Sequence, residues 1–181
     1  MKKLWILSVA AVLFISAAHA QSADSGTSKK QIRKEKRQAL KKIPGAGISV
    51  EVKQAFAGDF GNPMVSWERT DIFDIANFTS NGVAMTAYYD ADAQLIGTVV
   101  HKTFADLPVK AQQTINSQYT GYTKGAVIFF DDNEANATDM VLYDLQFDDI
   151  DSYFIELSKD GKTIVLQVTM GGQVANFTQK K

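Results

Sequence analysis

The chain has 181 residues, no cysteine and a formal charge of −1. The lack of thiols excludes a disulfide framework, a thiolate nucleophile and a cysteine metal cage, so stability has to come from a hydrophobic core. The roughly 160 residues that follow the leader described next suffice for one sizeable core or two small ones.

Residues 1–20 read as a signal peptide, with Lys2 and Lys3 as its basic start, "LWILSVAAVLFIS" as its apolar run and Ala18-His19-Ala20 as a small-x-small cleavage site before Gln21. No other segment is long and apolar enough to span a bilayer, which predicts a periplasmic or secreted protein. Residues 21–47 read as a basic flexible arm and linker. Eight Lys/Arg face two acids between Ser22 and Gly47, whereas from Ile48 onward nine basic residues stand against eighteen acidic ones. Arm and body therefore attract each other, and the arm offers a surface contact to anionic components of the envelope. No nucleic-acid partner is expected. The few apolar residues of the arm predict mobility as far as Gly47, with Pro44-Gly45-Ala46-Gly47 as the linker.

Ser49 is placed to cap a first helix, with Val52, Ala55, Phe56 and Phe60 on its apolar stripe and Gly61 and Asn62-Pro63 at its end. "MVSWERTDIFDIANFT" is rich in strand formers. Asn81-Gly82 then predicts a type I′ hairpin, because both central residues of that turn need positive φ. Val83, Met85, Ala87 and Tyr89 form the more apolar side of the next strand, which leaves Tyr88 on the other side. Asp90-Ala91-Asp92-Ala93 turns the chain into "QLIGTVVH". The connections are too short for anything but an antiparallel meander.

A second helix is predicted from Asp106 or Leu107, with Pro108 in its first turn and Ala111, Ile115 and Tyr119 on one side. The strands "AVIFF", "MVLYDLQF", "SYFIELS" and "TIVLQVTM" follow, the last two joined by the turn Lys159-Asp160-Gly161-Lys162. Alternation of Val141, Tyr143, Leu145 and Phe147 marks a strand with one wet face. Helix plus meander thus occurs twice, over residues 48–104 and 105–181. The fold class is α+β, in tandem helix-plus-antiparallel-sheet modules whose faces opposite the helices are expected to be wet.

Reactive chemistry is sparse. His101 is the only histidine after the leader, so a histidine-dependent triad would have to be built on a residue at a strand end. The acidic stretch from Asp131 to Asp139 fails the EF-hand pattern: Ala137 stands where glycine is needed, and no glutamate closes the loop. Phosphate loops and nucleophile elbows are absent. No catalytic residue, no metal ligand set and no cofactor is expected, and the protein is not expected to be an enzyme. The aromatic residues read either as core and cross-strand packing or, where they lie on a wet face, as anchors for a partner.

Val65-Ser66-Trp67-Glu68, Asp74-Ile75-Ala76-Asn77-Phe78, Asn81-Gly82, Ala87-Tyr88-Tyr89-Asp90, Leu107-Pro108, Ile115, Tyr119-Thr120-Gly121-Tyr122 and Tyr143-Asp144-Leu145, in this order and spacing, resemble the PepSY-like, beta-lactamase-inhibitor-like exported proteins of Bacteroidetes. The resemblance covers roughly residues 48 to 170. It implies a tandem of modules similar to the beta-lactamase inhibitory protein and a protein or peptide partner. The inhibitor's disulfides have no counterpart here, and the turn at Asp90-Ala91-Asp92-Ala93 lacks the family's glycine.

The expected function is a non-catalytic exported binding module. Its alternatives are an inhibitor or regulator of a secreted hydrolase, of the peptidase or beta-lactamase class, and an enzyme using a carboxylate or calcium site. The candidate binding residues are Trp67, Glu68, Tyr88, Tyr143, Asp144 and Tyr153.

Overall fold

A computed structural model of the protein describes residues 40–148 and 150–180. The expected signal peptide and the arm as far as residue 39 lie outside the described residues.

Helix α1 (Val50–Phe60) starts where its cap predicts: the Ser49 hydroxyl accepts from the backbone N–H of Val52 at 3.1 Å. Helix α2 (Val109–Gln118) is capped by Pro108, one or two positions later than the expected Leu107 or Asp106, so that Pro108 is not inside its first turn. Around them lie β1 (Val65–Arg69), β2 (Asp74–Ser80), β3 (Val83–Tyr89), β4 (Leu95–Lys102), β5 (Thr123–Asp132), β6 (Met140–Leu142), β7 (Leu145–Phe147), β8 (Ser152–Lys159), β9 (Lys162–Thr169) and β10 (Val174–Lys180).

Eight strands form one antiparallel sheet in the order β1-β2-β3-β4-β5-β8-β9-β10, and β6 pairs only with β7. Each helix is followed in the chain by four strands of this sheet. The expected pair of sheets is therefore corrected to a single one, joined where β4 runs beside β5 from Gly97 opposite Asp132 to Lys102 opposite Val127. Turns with positive φ at Asn81-Gly82 and Asp160-Gly161 close two of the hairpins, as the sequence predicts.

Both helices cover the same face. One row across the sheet runs Met85, Val100, Phe129, Tyr153, Val168. Met85 packs on the core under α1, which is built on Val52, Phe56, Ala76, Phe78, Ala87 and Tyr89. Val168 belongs to the core under α2, with Ala111, Ile115, Val127, Ile155, Leu157 and Leu166. Side chains of one register row share a face.

The opposite face is not uniformly wet as expected. The excursion between β5 and β8 folds back so that Met140, Leu142 and Phe147 of the small hairpin join Phe73, Ile96, Val99, Phe130, Phe154 and Val165 in a third buried cluster. "MVLYDLQF" is accordingly not one strand. It breaks at Tyr143 and Asp144, both at positive φ, into two strands of three residues. The expected side of Val141, Tyr143, Leu145 and Phe147 is not the buried one: before the break Met140 and Leu142 are buried, after it Phe147 is, and Leu145 is exposed. Gly97 makes room beneath: a Cβ there would lie 2.5 Å from the Asp131 carbonyl oxygen and 2.7 Å from the Phe130 ring.

A polar latch fixes the excursion. The Asp90 carboxylate, 6% exposed, accepts from the Asp92 and Gln94 amides at 2.9 Å through Oδ1. Through Oδ2 it accepts from Asn136 Nδ2 and Thr138 Oγ1, both at 3.0 Å. Four donors on one buried carboxylate satisfy its hydrogen-bonding capacity, which is the condition for keeping it out of water. The Asn-x-Thr triplet at Asn136 is thus spent on the fold.

The described end of the basic arm, from Leu40 to Gly45, lies against the body. Lys41 pairs with Asp92 at 2.5 Å, the Ile43 amide donates to the Asp71 carbonyl at 2.9 Å, and Leu40 packs against the third cluster. Arg69 clasps Asp74 with two bonds of 2.5 and 2.6 Å while its Nη1 reaches the carbonyls of Pro44 and Gly45. Of the arm's basic residues, the two described, Lys41 and Lys42, face the body carboxylates Asp92 and Asp71.

Candidate binding face

The surface away from the helices carries a strip of tyrosines and carboxylates. On β1 to β3 the register row Glu68, Ile75, Tyr88 points away from α1, since the neighbouring row Ala76 and Ala87 is buried beneath it. Glu68 is exposed and Tyr88 half-buried, with its ring edge-on to Phe73 at 5.9 Å. The turn of the small hairpin places Tyr143 beside Phe154 and Phe177, at 6.3 and 6.5 Å between ring centroids, and leaves Asp144 exposed. Tyr143 is hydrogen-bonded to Glu156 on β8. Lys180 at the end of β10 lies 5.7 Å from the centre of the Tyr143 ring and 2.9 Å from Glu156 Oε1.

Four of the six candidate residues, Glu68, Tyr88, Tyr143 and Asp144, therefore lie on this side. The other two belong to the helix side. Trp67 packs edge-on to Phe56 of α1 at 5.3 Å, and Tyr153 stacks obliquely on Phe129 at 4.7 Å beside the core under α2. Residue parity separates Trp67 from Glu68, but only the position of α1 tells which of the two it covers. Glu156 and Lys180 were not among the expected residues. Glu156 lies on β8, inside the predicted strand "SYFIELS", and Lys180 ends β10, whose bulge between Asn176 and Thr178 blurs the alternation that would mark "VANFTQK" as a strand.

The tyrosines of the strip are electrostatically marked. Burial raises the Tyr88 phenol above its ordinary value, and the charge of Glu68 adds to this. Burial again, followed by Glu156, raises Tyr143. Under α1, Tyr89 is raised by burial and by its 2.8 Å hydrogen bond to Asp59. A phenol whose folded pKa exceeds its unfolded value of about 10 adds stability that is fully present below pH 10 and is lost as the pH rises. Three of the six tyrosines are thus expected to resist ionisation above pH 10 until alkali unfolds the chain, followed by phenolate absorbance alongside circular dichroism. Six tyrosines ionising together near pH 10 in a still-folded protein would contradict this placement.

The acidic stretch is taken up by structure. Asn133 donates to the Leu95 carbonyl, Asn136 and Thr138 hold Asp90, and Gln146 donates to Asp139. Among the described residues no three His, Asp or Glu side chains gather as a metal-holding group. His101 is exposed at the end of β4, away from any such cluster.

No protein-family model matches the chain, and no curated protein does. Solved structures do. A BLIP-like protein from Bacteroides fragilis superposes with a TM-score of 0.56 at 17% identity, covering 76% of this chain and 92% of that one. A DUF2874 family protein from Bacteroides ovatus gives 0.56 at 17%, over 73% and 89%. A protein from Bacteroides eggerthii, described as a candidate periplasmic protein, gives 0.55 at 15%, over 74% and 91%. At these identities the likeness shows the fold, which is BLIP-like and α+β, as the resemblance implies.

Proposed function

We propose that the chain is a non-catalytic, exported binding module that recognises a protein or peptide in the cell envelope through the sheet face opposite its helices. The observation that carries this reading is the placement of both helices on one face, which leaves Glu68, Tyr88, Tyr143 and Asp144 together on the other. A tyrosine held by its neighbours brings a large contact area with little entropy left to lose, the character of an interface anchor. Export rests on the leader-like first twenty residues, and the likeness to a candidate periplasmic protein supports it. In the same reading residues 48–104 and 105–181 are two PepSY-like modules sharing one sheet.

The test is capture from envelope extract with the parent chain and with Tyr88→Ala. An anchor of this kind contributes about 2 kcal/mol. The variant is expected to bind the captured partner at least about tenfold more weakly while its circular dichroism stays that of the parent. Unaltered affinity would remove this face from the function. A second reading, an inhibitor or regulator of a secreted hydrolase, is favoured by the BLIP-like fold. Titrating the protein into assays of secreted peptidases and beta-lactamases separates the two, since a binding module leaves turnover unchanged.

A further inference from the structure

The strip holds a lysine of its own. The Lys180 ammonium sits over the Tyr143 ring and against the Glu156 carboxylate at once, so one cation satisfies an aromatic face and an anion together. A tyrosine and a glutamate share this face again on β1 to β3, where Tyr88 and Glu68 lie in one register row with Ile75 between them. Phe73 fixes the Tyr88 ring edge-on, and Glu68 is exposed. Among the described residues no Lys or Arg nitrogen lies within ion-pair distance of Glu68.

From Ile48 onward the chain has twice as many acids as bases, and the segment 132–148, which folds over this face, contains five acids (Asp132, Glu134, Asp139, Asp144 and Asp148) and no base. A field of one sign draws an oppositely charged ligand towards it, while the local pairing decides where a side chain is seated. We propose that the face takes a cationic peptide segment of its partner, with a lysine or arginine side chain seated on Tyr88 against Glu68 as Lys180 is seated on Tyr143 against Glu156. This rests on the reading of the face as a binding surface and adds the chemistry of the ligand.

The test uses the full chain and two labelled peptides, one alternating lysine with serine and one with norleucine in place of lysine, followed by fluorescence anisotropy at moderate salt. The lysine peptide is expected to bind, the norleucine peptide not to bind, and Glu68→Gln to weaken binding at least about fivefold. Glu51→Gln, which removes an exposed carboxylate from the start of α1 on the opposite face, is expected to change it less than about twofold. Equal losses in the two variants would reduce the effect to general attraction by an acidic body and overturn the proposal, as would binding of the norleucine peptide or no binding at all. An envelope partner that depends on Tyr88 but is indifferent to Glu68→Gln would also overturn it, while leaving the binding-face reading intact.

Discussion

Phe154→Ala is expected to lower the stability of the protein by about 3–5 kcal/mol, read from the denaturant midpoint at unchanged slope. The ring is fully buried between the sheet and the small hairpin, at 4.9 Å from Phe177, 5.2 Å from Phe147 and 6.3 Å from Tyr143. No neighbour can collapse into the space without moving β6 and β7, so the cavity cost adds to the lost transfer energy. Phe154→Leu keeps most of the volume and should cost less than about 1.5 kcal/mol. Near-ultraviolet circular dichroism should weaken in the alanine variant, because the rings around Tyr143 lose their common partner. A loss below about 1 kcal/mol in Phe154→Ala would mean that the hairpin is not packed on the sheet as described.

Arg69→Met is expected to cost a comparable amount, about 3–5 kcal/mol, by a different route. It leaves the Asp74 carboxylate, 1% exposed, without the guanidinium that holds both of its oxygens. The same substitution frees the Pro44 and Gly45 carbonyls and with them the end of the basic arm. The double variant Arg69→Met with Asp74→Leu should recover most of the loss, since replacing both partners of a buried ion pair by apolar groups of similar volume is close to neutral. A double variant no better than the single one would show that the packing of the arm, rather than the stranded charge, sets the cost.

The parts legible in the sequence are those governed by near neighbours. Ser49 announces α1, Asn81-Gly82 and Asp160-Gly161 announce their hairpins, and the parity of β3 assigns Ala87 and Tyr89 to the core and Tyr88 to the other side. What escaped is governed by residues far apart in the chain. Alternation alone cannot show that Tyr143 and Asp144 both take positive φ, because tyrosine has no local preference for that region. Nor can it show that the hairpin then turns back over Phe130 and Phe154. Asp90 looks like an ordinary turn residue until Asn136 and Thr138 arrive from 46 and 48 positions away. Of the proposed strip, the sequence names Glu68, Tyr88, Tyr143 and Asp144 and separates neither Trp67 nor Tyr153 from them, since that distinction depends on where the helices settle.

The order of strands in the sheet is the order of strands in the chain, apart from the excursion that carries β6 and β7. Most strands therefore pair with their neighbour in the chain across a short turn, and closing such short loops costs little entropy. Two pairs have to close a longer gap, β4 with β5 across the segment 103–122 that holds α2 and β5 with β8 across 133–151, and the latch from Asp90 to Asn136 and Thr138 spans further still. Closure entropy has to be met before such distant contacts stabilise anything. The latch is accordingly expected to form after the rate-limiting step, so that weakening it, as by Thr138→Val, should speed unfolding and leave refolding almost unchanged in stopped-flow measurements against denaturant. The element that shapes the tyrosine strip is thus also the one that sets how long the folded molecule survives once made.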